Sequence, residues 1–175
     1  VICYGLKNIS IKSLQGIEYS FKTPEISLNN TSGEGFIQNI FFGFQYQANA
    51  YKLDRMFDPS TNKTISFKYE EYRNNFRDTF YHRVNTTSST SNTISNRLTN
   101  IYFDGGEVQF LYDLQREDNT GEKALTEVKV LNHIGVVIKR IKFEYSYFQT
   151  IINPGTPQSK RLKLDRVYQI DAAGN

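Results

Sequence analysis

The chain contains few of the residues that build disulfides, metal centres and common active sites. Its 175 residues include one cysteine, Cys3, so an intrachain disulfide is impossible. The two histidines, His82 and His133, lie far apart, and neither has a cysteine or a second histidine at zinc-site spacing. Glycine-rich phosphate and dinucleotide motifs are absent as well. The sequence therefore predicts no metal, no cofactor and no enzymatic activity.

Long apolar runs and clustered charge of one sign are also missing. No stretch of about 18 apolar residues occurs, so we expect no membrane-spanning segment. The net charge is +3, and acidic residues lie close to most of the basic ones. The densest basic group would divide between the two faces of a strand; it consists of Lys160, Arg161, Lys163 and Arg166. We interpret it as a solvated edge and expect no nucleic-acid partner, because nucleic-acid binders usually concentrate basic residues on one face.

Aromatic residues, by contrast, are abundant, with 12 tyrosines and 13 phenylalanines. Such residues suit a pleated sheet, and alanine, the best helix former, is scarce. We predict an all-β fold, an antiparallel sheet of repeated β-hairpins that forms a curved sheet, a sandwich or an open barrel, with at most one or two short helices. The length suits a single domain over residues 1–175 or a section of a longer array.

A strand–turn–strand pattern recurs about five times along the chain. Each copy begins with a leucine, has Ile, Val or Met three residues later, passes through a turn, and returns in a strand with alternating aromatic residues. The leading leucines are Leu6, Leu53, Leu98, Leu125 and Leu164. The turns contain residue types that favour tight bends; these are Gly16, Asp58, Pro59, Gly105, Gly106, Gly135 and Gly174.

The returning strands place their aromatic residues at period two and hence on one face of the sheet. These residues are Tyr19, Phe21, Phe67, Tyr69, Phe110, Tyr112, Phe143 and Tyr145, and a further pair, Phe44 and Tyr46, ends an apolar strand over residues 36–46. Stacked hairpins would align them into a ladder of cross-strand pairs. With tryptophan absent, we favour a role in the core over a sugar-binding platform.

The leading leucine stands three positions before its apolar partner, as Leu6 stands before Ile9. In a regular strand the two side chains would point to opposite faces. Two explanations fit the pattern. Either a β-bulge redirects the leucine, or the leucine covers a second apolar layer.

The segments between the hairpins are polar or ambiguous. We predict loops over residues 22–39 and 85–96, the second mobile because its Ser, Thr and Asn residues bury too little apolar area to offset ordering. The aromatic residues within 69–80 fit one helical face, so a short helix or turn is favoured there over a strand. A second short helical turn is expected over residues 120–125.

Four carboxylates crowd into one loop, namely Asp113, Glu117, Asp118 and Glu122. Paired carboxylates can hydrolyse glycosides, and carboxylate oxygens can bind calcium. However, Arg116 and Lys123 share the loop, and the ligand spacing of an EF-hand is absent. We therefore favour a salt-bridged connector over a catalytic or calcium site.

The last turn, Asp171-Ala-Ala-Gly174-Asn175, resembles the Tyr-Asp (YD) repeats of Rhs-type proteins. Three segments resemble, more specifically, large secreted or lipid-anchored Rhs-like proteins of Bacteroidetes. They are residues 98–112, residues 116–125 with the pattern Arg116-x-Asp118-x-x-Gly121-x-x-x-Leu125, and residues 160–167. The likeness covers residues 98–175 well and residues 1–70 loosely, and an intact Tyr-Asp pair occurs only at Tyr112-Asp113.

This resemblance implies a curved or spiralling β-sheet that serves as a shell or stalk at the surface of a Gram-negative bacterium, outside the cell, and brings no catalytic residues. It predicts a non-catalytic structural or interaction segment whose partner is the rest of a larger repeat protein, with a surface protein or glycan as a further partner. The alternative is a surface glycan- or protein-binding module. Because the last hairpin stops at its turn, we expect a piece of a longer protein in which residues 162–170 lack one neighbouring strand.

Overall fold

The computed structural model describes residues 8–33, 45–81, 86–119, 121–149 and 159–171. Eleven strands cover most of these residues. They are β1 Ile9–Lys12, β2 Glu18–Gly33, β3 Gln45–Asp58, β4 Lys63–Tyr81, β5 Thr86–Phe103, β6 Gly106–Leu111, β7 Leu114–Gln115, β8 Lys123–Ala124, β9 Glu127–Asn132, β10 Val137–Gln149 and β11 Lys160–Ile170. No α-helix occurs in the described part of the chain, and the predicted all-β, antiparallel class is confirmed.

Nine of the strands form one antiparallel sheet in the order β1-β2-β3-β4-β5-β6-β9-β10-β11. β7 and β8 pair separately, within the connection between β6 and β9. β2 also pairs with β5, where Ile26–Gly33 lie opposite Thr87–Ile94. The pairings β2–β3, β3–β4, β4–β5 and β5–β2 therefore form a closed circuit, from which β6, β9, β10 and β11 continue as an open sheet.

The polar segment 85–96, predicted to be a mobile loop, forms a strand instead, since residues 86–96 belong to β5. This strand is hydrogen-bonded along both edges. Ile94, for example, lies opposite Ile26 of β2 on one side and opposite Arg73 of β4 on the other. Backbone pairing on two sides and the β propensity of threonine order the segment, although it has little apolar surface to bury. Residue 85 lies outside the described residues.

Two further segments differ from the prediction in the same way. Residues 22–33, part of the loop predicted over 22–39, lie in β2, and the remainder of that loop is outside the described residues. Residues 69–80, for which a helix or turn was favoured, lie in β4 and pair with β5. Continuous pairing with a neighbouring strand thus outweighs the helical spacing of the aromatic residues. The helical turn expected over residues 120–125 is not found in the described part of that range, where Lys123–Ala124 form a short strand; residue 120 is outside the described residues.

Few side chains are completely buried in this sheet. Among the described residues, the buried hydrophobic side chains are Ala124 and Leu131, and no large side chain is fully enclosed. The aromatic residues of the returning strands whose side chains are described are half-buried. Each is therefore covered largely by its neighbours on the same face, so its burial depends on which strands flank it.

Candidate functional site

The repeats recognised in the sequence pair with one another in one common register. We call the segment that starts at the leading leucine the leading strand, and the returning segment the aromatic strand. The two aromatic residues of one repeat lie opposite the apolar residue and the leucine of the next leading strand. In chain order the pairs are Tyr19–Met56 and Phe21–Leu53, Phe67–Ile101 and Tyr69–Leu98, Phe110–Val128, and Phe143–Val167 and Tyr145–Leu164.

A β-bulge redirects the leading leucine. Between Leu98 and Ile101 the register shifts, so that Thr99 is skipped in the pairing with β4 while Leu98 still faces Tyr69. The same shift skips Asp54 opposite β2 and Asp165 opposite β10. One extra residue returns the leucine to the face of its apolar partner. Of the two explanations that the sequence leaves open, the structure shows the bulge.

The residue after the leading leucine carries an oxygen in its side chain. At the bulge in β5, Thr99 Oγ1 donates to the carbonyl of Lys68 at 3.1 Å. Thr126, at the equivalent position of the next repeat, donates to the carbonyl of Leu111 from its backbone amide at 2.8 Å and from Oγ1 at 3.1 Å. Each acceptor stands immediately before the tyrosine of its aromatic strand. The Thr99 hydroxyl therefore satisfies a carbonyl beside the irregularity in the ladder.

Aspartate takes the same position at two other leading strands, and at one of them it accepts hydrogen bonds beside the bulge. The Asp54 carboxylate accepts hydrogen bonds from the backbone amide of Lys22, from the amide of Thr23 at 3.1 Å and from the Thr23 hydroxyl at 2.7 Å. Asp165 lies 2.6 Å from Lys163 Nζ. The sequence carries a signal for this role, because each leading leucine among the described residues is followed by Asp or Thr, a position that the pattern of leucine and Ile, Val or Met does not specify.

A tyrosine hydroxyl connects the two ends of three repeats. The donor is the second aromatic residue of the aromatic strand, and the acceptor is the carbonyl of the leading leucine in the same repeat. The bonds are Tyr69 to Leu53 at 2.9 Å, Tyr112 to Leu98 at 3.0 Å and Tyr145 to Leu125 at 2.8 Å. Burial raises the pKa of all three tyrosines, so they remain protonated donors at neutral pH.

The glycine turns differ in how tightly they are enclosed. Gly16, Gly106 and Gly135 have φ of 87°, 146° and 78°, values that favour glycine. A Cβ on Gly106 would stand 1.9 Å from the Leu131 carbonyl oxygen, whereas nothing lies within 4 Å of a Cβ on Gly16 or Gly135. Gly105 has no such φ, and its Cβ would meet only the Phe103 ring, at 3.1 Å. The turn between β5 and β6 is therefore the one whose glycine is required by close contact.

The turn between β3 and β4 uses side-chain hydrogen bonds. The Asp58 carboxylate accepts from the Ser60 hydroxyl at 2.6 Å, from the Thr61 hydroxyl at 2.8 Å and from the Ser60 amide at 2.9 Å, and these bonds lower its pKa. Pro59 is exposed in the same turn, where Asn62 takes a φ of 54°. Of the other predicted residues, Tyr46 lies in β3 opposite Leu28, and Phe44 and Gly174 are outside the described residues.

The acidic loop contains an ion-pair network that we call the Arg116 cluster, comprising Arg116, Asp118, Asn119 and Glu122. The Arg116 guanidinium binds both oxygens of Asp118 at 3.0 Å and Glu122 Oε2 at 2.6 Å. Asn119 Nδ2 also donates to Glu122 Oε2, at 2.7 Å. The hydrogen bonds from Arg116 lower the pKa of Asp118, so this carboxylate is charged at neutral pH.

Three strands of the sheet contact this loop. The Leu162 amide of β11 donates to Asp118 Oδ2 at 2.9 Å. The Glu117 amide donates to the Tyr147 hydroxyl of β10 at 2.8 Å, and the Tyr72 hydroxyl of β4 lies 3.4 Å from Glu122 Oε1. The loop therefore joins the sheet's centre to its β10–β11 end.

The carboxylates of this loop are engaged by cations or hydroxyl groups rather than by each other. Glu117 is ion-paired with Lys160, and Asp113 lies 3.4 Å from the Thr126 hydroxyl. Within the described ranges, no group of three His, Cys, Asp or Glu residues is placed to hold a metal ion. The geometry therefore fits the salt-bridged connector. Of the histidines, His133 is exposed in the Asn132–Gly135 turn, and His82 lies outside the described residues.

An arginine stacks against two tyrosines. The Arg97 guanidinium carbon lies 5.3 Å from the centre of the Tyr72 ring and 5.1 Å from that of Tyr112, within cation–π range. Arg97 Nε also binds Glu70 Oε2 at 3.0 Å. Because Tyr112 bonds to the Leu98 carbonyl, this stack joins the tyrosine of one repeat to β4 and β5.

Comparisons with known proteins do not place this chain in a family: no family model, curated protein or solved structure matches it. The resemblance to Rhs-type proteins therefore stays a prediction. Among the described residues, no helix has the length and apolar character needed to cross a membrane.

Proposed function

We propose that this chain is a non-catalytic structural and interaction segment of a β-repeat protein exported to the cell surface. The observation that carries the proposal is the shared construction of the repeats, which have the same pairing and, in three of them, the same bond from tyrosine to leucine carbonyl. The pairing joins each repeat to the next, and the tyrosine bond connects the two ends of a single repeat. Repeat scaffolds extend in this way, with a stability that is roughly the sum of unit and interface terms.

The Arg116 cluster supports the same function. Asp118 of the cluster accepts from the Leu162 amide of β11, and the adjacent Glu117 amide donates to the Tyr147 hydroxyl of β10, so the loop is held against strands of two successive repeats. Carboxylates that are already paired with arginine and lysine favour a connecting role over proton transfer. They thereby stabilise the arrangement of the repeats.

The repeat construction can be tested by deleting one unit. Removing residues 98–124 joins Arg97 to Leu125, so that the next leading strand takes the place of the deleted one opposite Tyr69. A control deletion of equal length, residues 112–138, joins β6 directly to β10 and leaves no turn between two aromatic strands. We expect the first variant to keep its β-sheet circular dichroism and a cooperative urea transition, and the second to lose both. Equal loss in both variants would contradict the repeat scaffold.

The proposal that the chain is exported depends on the resemblance to secreted and lipid-anchored Rhs-like proteins. The same resemblance gives the proposed partner, which is the rest of a larger repeat protein. Protease treatment of intact cells of the native bacterium tests it, with an antibody against this chain as the readout. We expect the chain to be degraded without lysis, whereas a cytoplasmic marker protein survives. Survival of the chain until the cells are broken would place it inside the envelope.

One observation favours the alternative, a surface glycan- or protein-binding module. Tyr102 of β5 is exposed by 39%, and Asn100, two residues earlier, lies on the same face of the strand. An exposed aromatic ring beside an amide group suits a sugar ring. A glycan array distinguishes the functions, because selective retention that is lost in Y102A but kept in F148A would favour the alternative. Phe148 is a suitable control, since it is also exposed but lies on β10.

A further inference from the structure

The strand β11 carries the same leading pattern as the interior repeats but lies at the end of the sheet. Its two apolar residues, Leu164 and Val167, are exposed by 51% and 52%. The equivalent residues Leu98 and Ile101 are half-buried, although they face the same kind of partner on one side. Position in the sheet, rather than sequence, causes this difference.

The interior repeats show what covers the second side of such a strand. Ile101 lies opposite Val108, and Val128 lies opposite Ile141, in the aromatic strand of the same repeat. The tyrosine of that strand donates to the leading leucine's carbonyl, as Tyr112 does to Leu98. Within the described part of the chain, β11 pairs only with β10, and no tyrosine hydroxyl donates to the Leu164 carbonyl.

We propose that the outer edge of β11 binds one antiparallel strand of the aromatic-x-tyrosine type, supplied by a further repeat. The tyrosine hydroxyl of this strand donates to the Leu164 carbonyl, and its apolar side chains cover Leu164 and Val167. The inference rests on the proposed function and names the contact by which the repeat segment is extended. Addition of a strand to an open edge uses backbone hydrogen bonds for affinity and side-chain contacts for specificity.

The chain itself supplies a probe for this edge. The basic side chains of β11 do not select it, because Lys160 is ion-paired with Glu117, Lys163 binds Asp165 at 2.6 Å and Arg166 binds Glu144 at 3.1 Å. The segment 106–113, Gly-Glu-Val-Gln-Phe-Leu-Tyr-Asp, has the aromatic-x-tyrosine pattern. In its own repeat it pairs with the leading strand, where Val108 lies opposite Ile101 and Tyr112 donates to the Leu98 carbonyl, so it serves as the probe.

The experiment measures binding of a fluorescent peptide with the sequence of residues 106–113 to the full chain, by fluorescence anisotropy. We expect saturable binding, and about fivefold weaker binding when the peptide's tyrosine is replaced by phenylalanine, because one hydrogen bond is lost. The chain variant L164K/V167K should bind at least about tenfold more weakly. The control L14K, which changes a fully exposed leucine in the turn after β1, should bind like the unchanged chain.

Hydrogen exchange then locates the bound peptide. Protection confined to residues 160–170 supports the proposal, and protection at β1 or between β5 and β9 overturns it. Absence of peptide binding also overturns the proposal. So does a dimer of the chain in analytical ultracentrifugation that the L164K/V167K variant no longer forms, because the edge would then bind a second copy of the chain. If the peptide does not bind but the variant lacking residues 98–124 still folds cooperatively, only the proposed strand binding at β11 is refuted. Failure of the unit deletion refutes the proposed function itself.

Discussion

The interior repeats and the last leading strand have the same sequence pattern in different surroundings. Leu98 and Ile101 are flanked by β4 and β6, whereas Leu164 and Val167 have β10 on one side only and are half-exposed. Burial in this sheet is therefore created between neighbouring strands rather than in a deep core, since only Ala124 and Leu131 are buried hydrophobic residues among those described. Identical substitutions in the two regions should therefore have unequal effects.

The largest effect is expected at the turn between β5 and β6, inside the sheet. In G106A, the new Cβ would stand 1.9 Å from the Leu131 carbonyl oxygen at a φ of 146°, so β6 and β9 must separate. We expect a loss of about 4 kcal/mol in the free energy of unfolding or failure to fold. Urea denaturation followed by circular dichroism provides the measurement.

Two glycine controls belong with this variant. G105A changes the adjacent turn residue, whose Cβ meets only a flexible ring, and should cost less than about 1 kcal/mol. G16A lies at the edge hairpin in open space, so it should cost only the strain of a positive φ, about 1 kcal/mol. Equal losses for G16A and G106A would show that the interior turn is not more constrained than the edge.

The next largest loss in the free energy of unfolding is expected when a leading leucine is replaced by alanine. L98A removes a side chain that faces Tyr69 between two flanking strands, and we expect it to cost about 2 kcal/mol. L164A removes the equivalent side chain at the edge, where it faces Tyr145 but is 51% exposed, and should cost about 0.5 kcal/mol. Chemical denaturation of both variants measures the difference, and equal costs would remove the distinction between interior and edge.

The Arg116 cluster should make a smaller contribution to the free energy of unfolding, and this contribution should depend on pH. Hydrogen bonds from Arg116 lower the pKa of Asp118 in the folded chain, so the stabilisation is fully present above the unfolded pKa of about 4 and is lost as the pH falls through the lower folded value. We expect D118N to cost about 1.5 kcal/mol at pH 7 and less at pH 3.

Urea midpoints at the two pH values test this prediction. Asp113 supplies a matched control, since it is an exposed carboxylate of the same loop without an arginine partner, and D113N should change stability little at either pH. If D118N costs as much at pH 3 as at pH 7, its effect would be steric and the ionic interpretation of the cluster would fail.

The strand–turn–strand pattern could be predicted from the sequence because alternation and turn residues are local signals. The spacing of three residues between the leading leucine and its apolar partner also indicated either a bulge or a second apolar layer. Local spacing could not decide between them, and the structure has the bulge at Leu98 and Thr99. Strand β5 was missed because its Ser, Thr and Asn residues are ordered by pairing with β2 and β4, distant in sequence. The hydroxyl bond of Tyr112 was missed for the same reason, since it depends on register rather than on composition.

The most direct test of the common repeat is the removal of one oxygen from each of its tyrosines. Y69F, Y112F and Y145F each leave a leucine carbonyl without its donor, so each should lower the free energy of unfolding by about 1 kcal/mol. Y102F, whose exposed hydroxyl makes no hydrogen bond with the described residues, should change it by less than about 0.3 kcal/mol. The predicted result is a similar loss of unfolding free energy in Y69F, Y112F and Y145F and almost none in Y102F. If the three variants lose no more than Y102F, the repeat is not a shared structural unit.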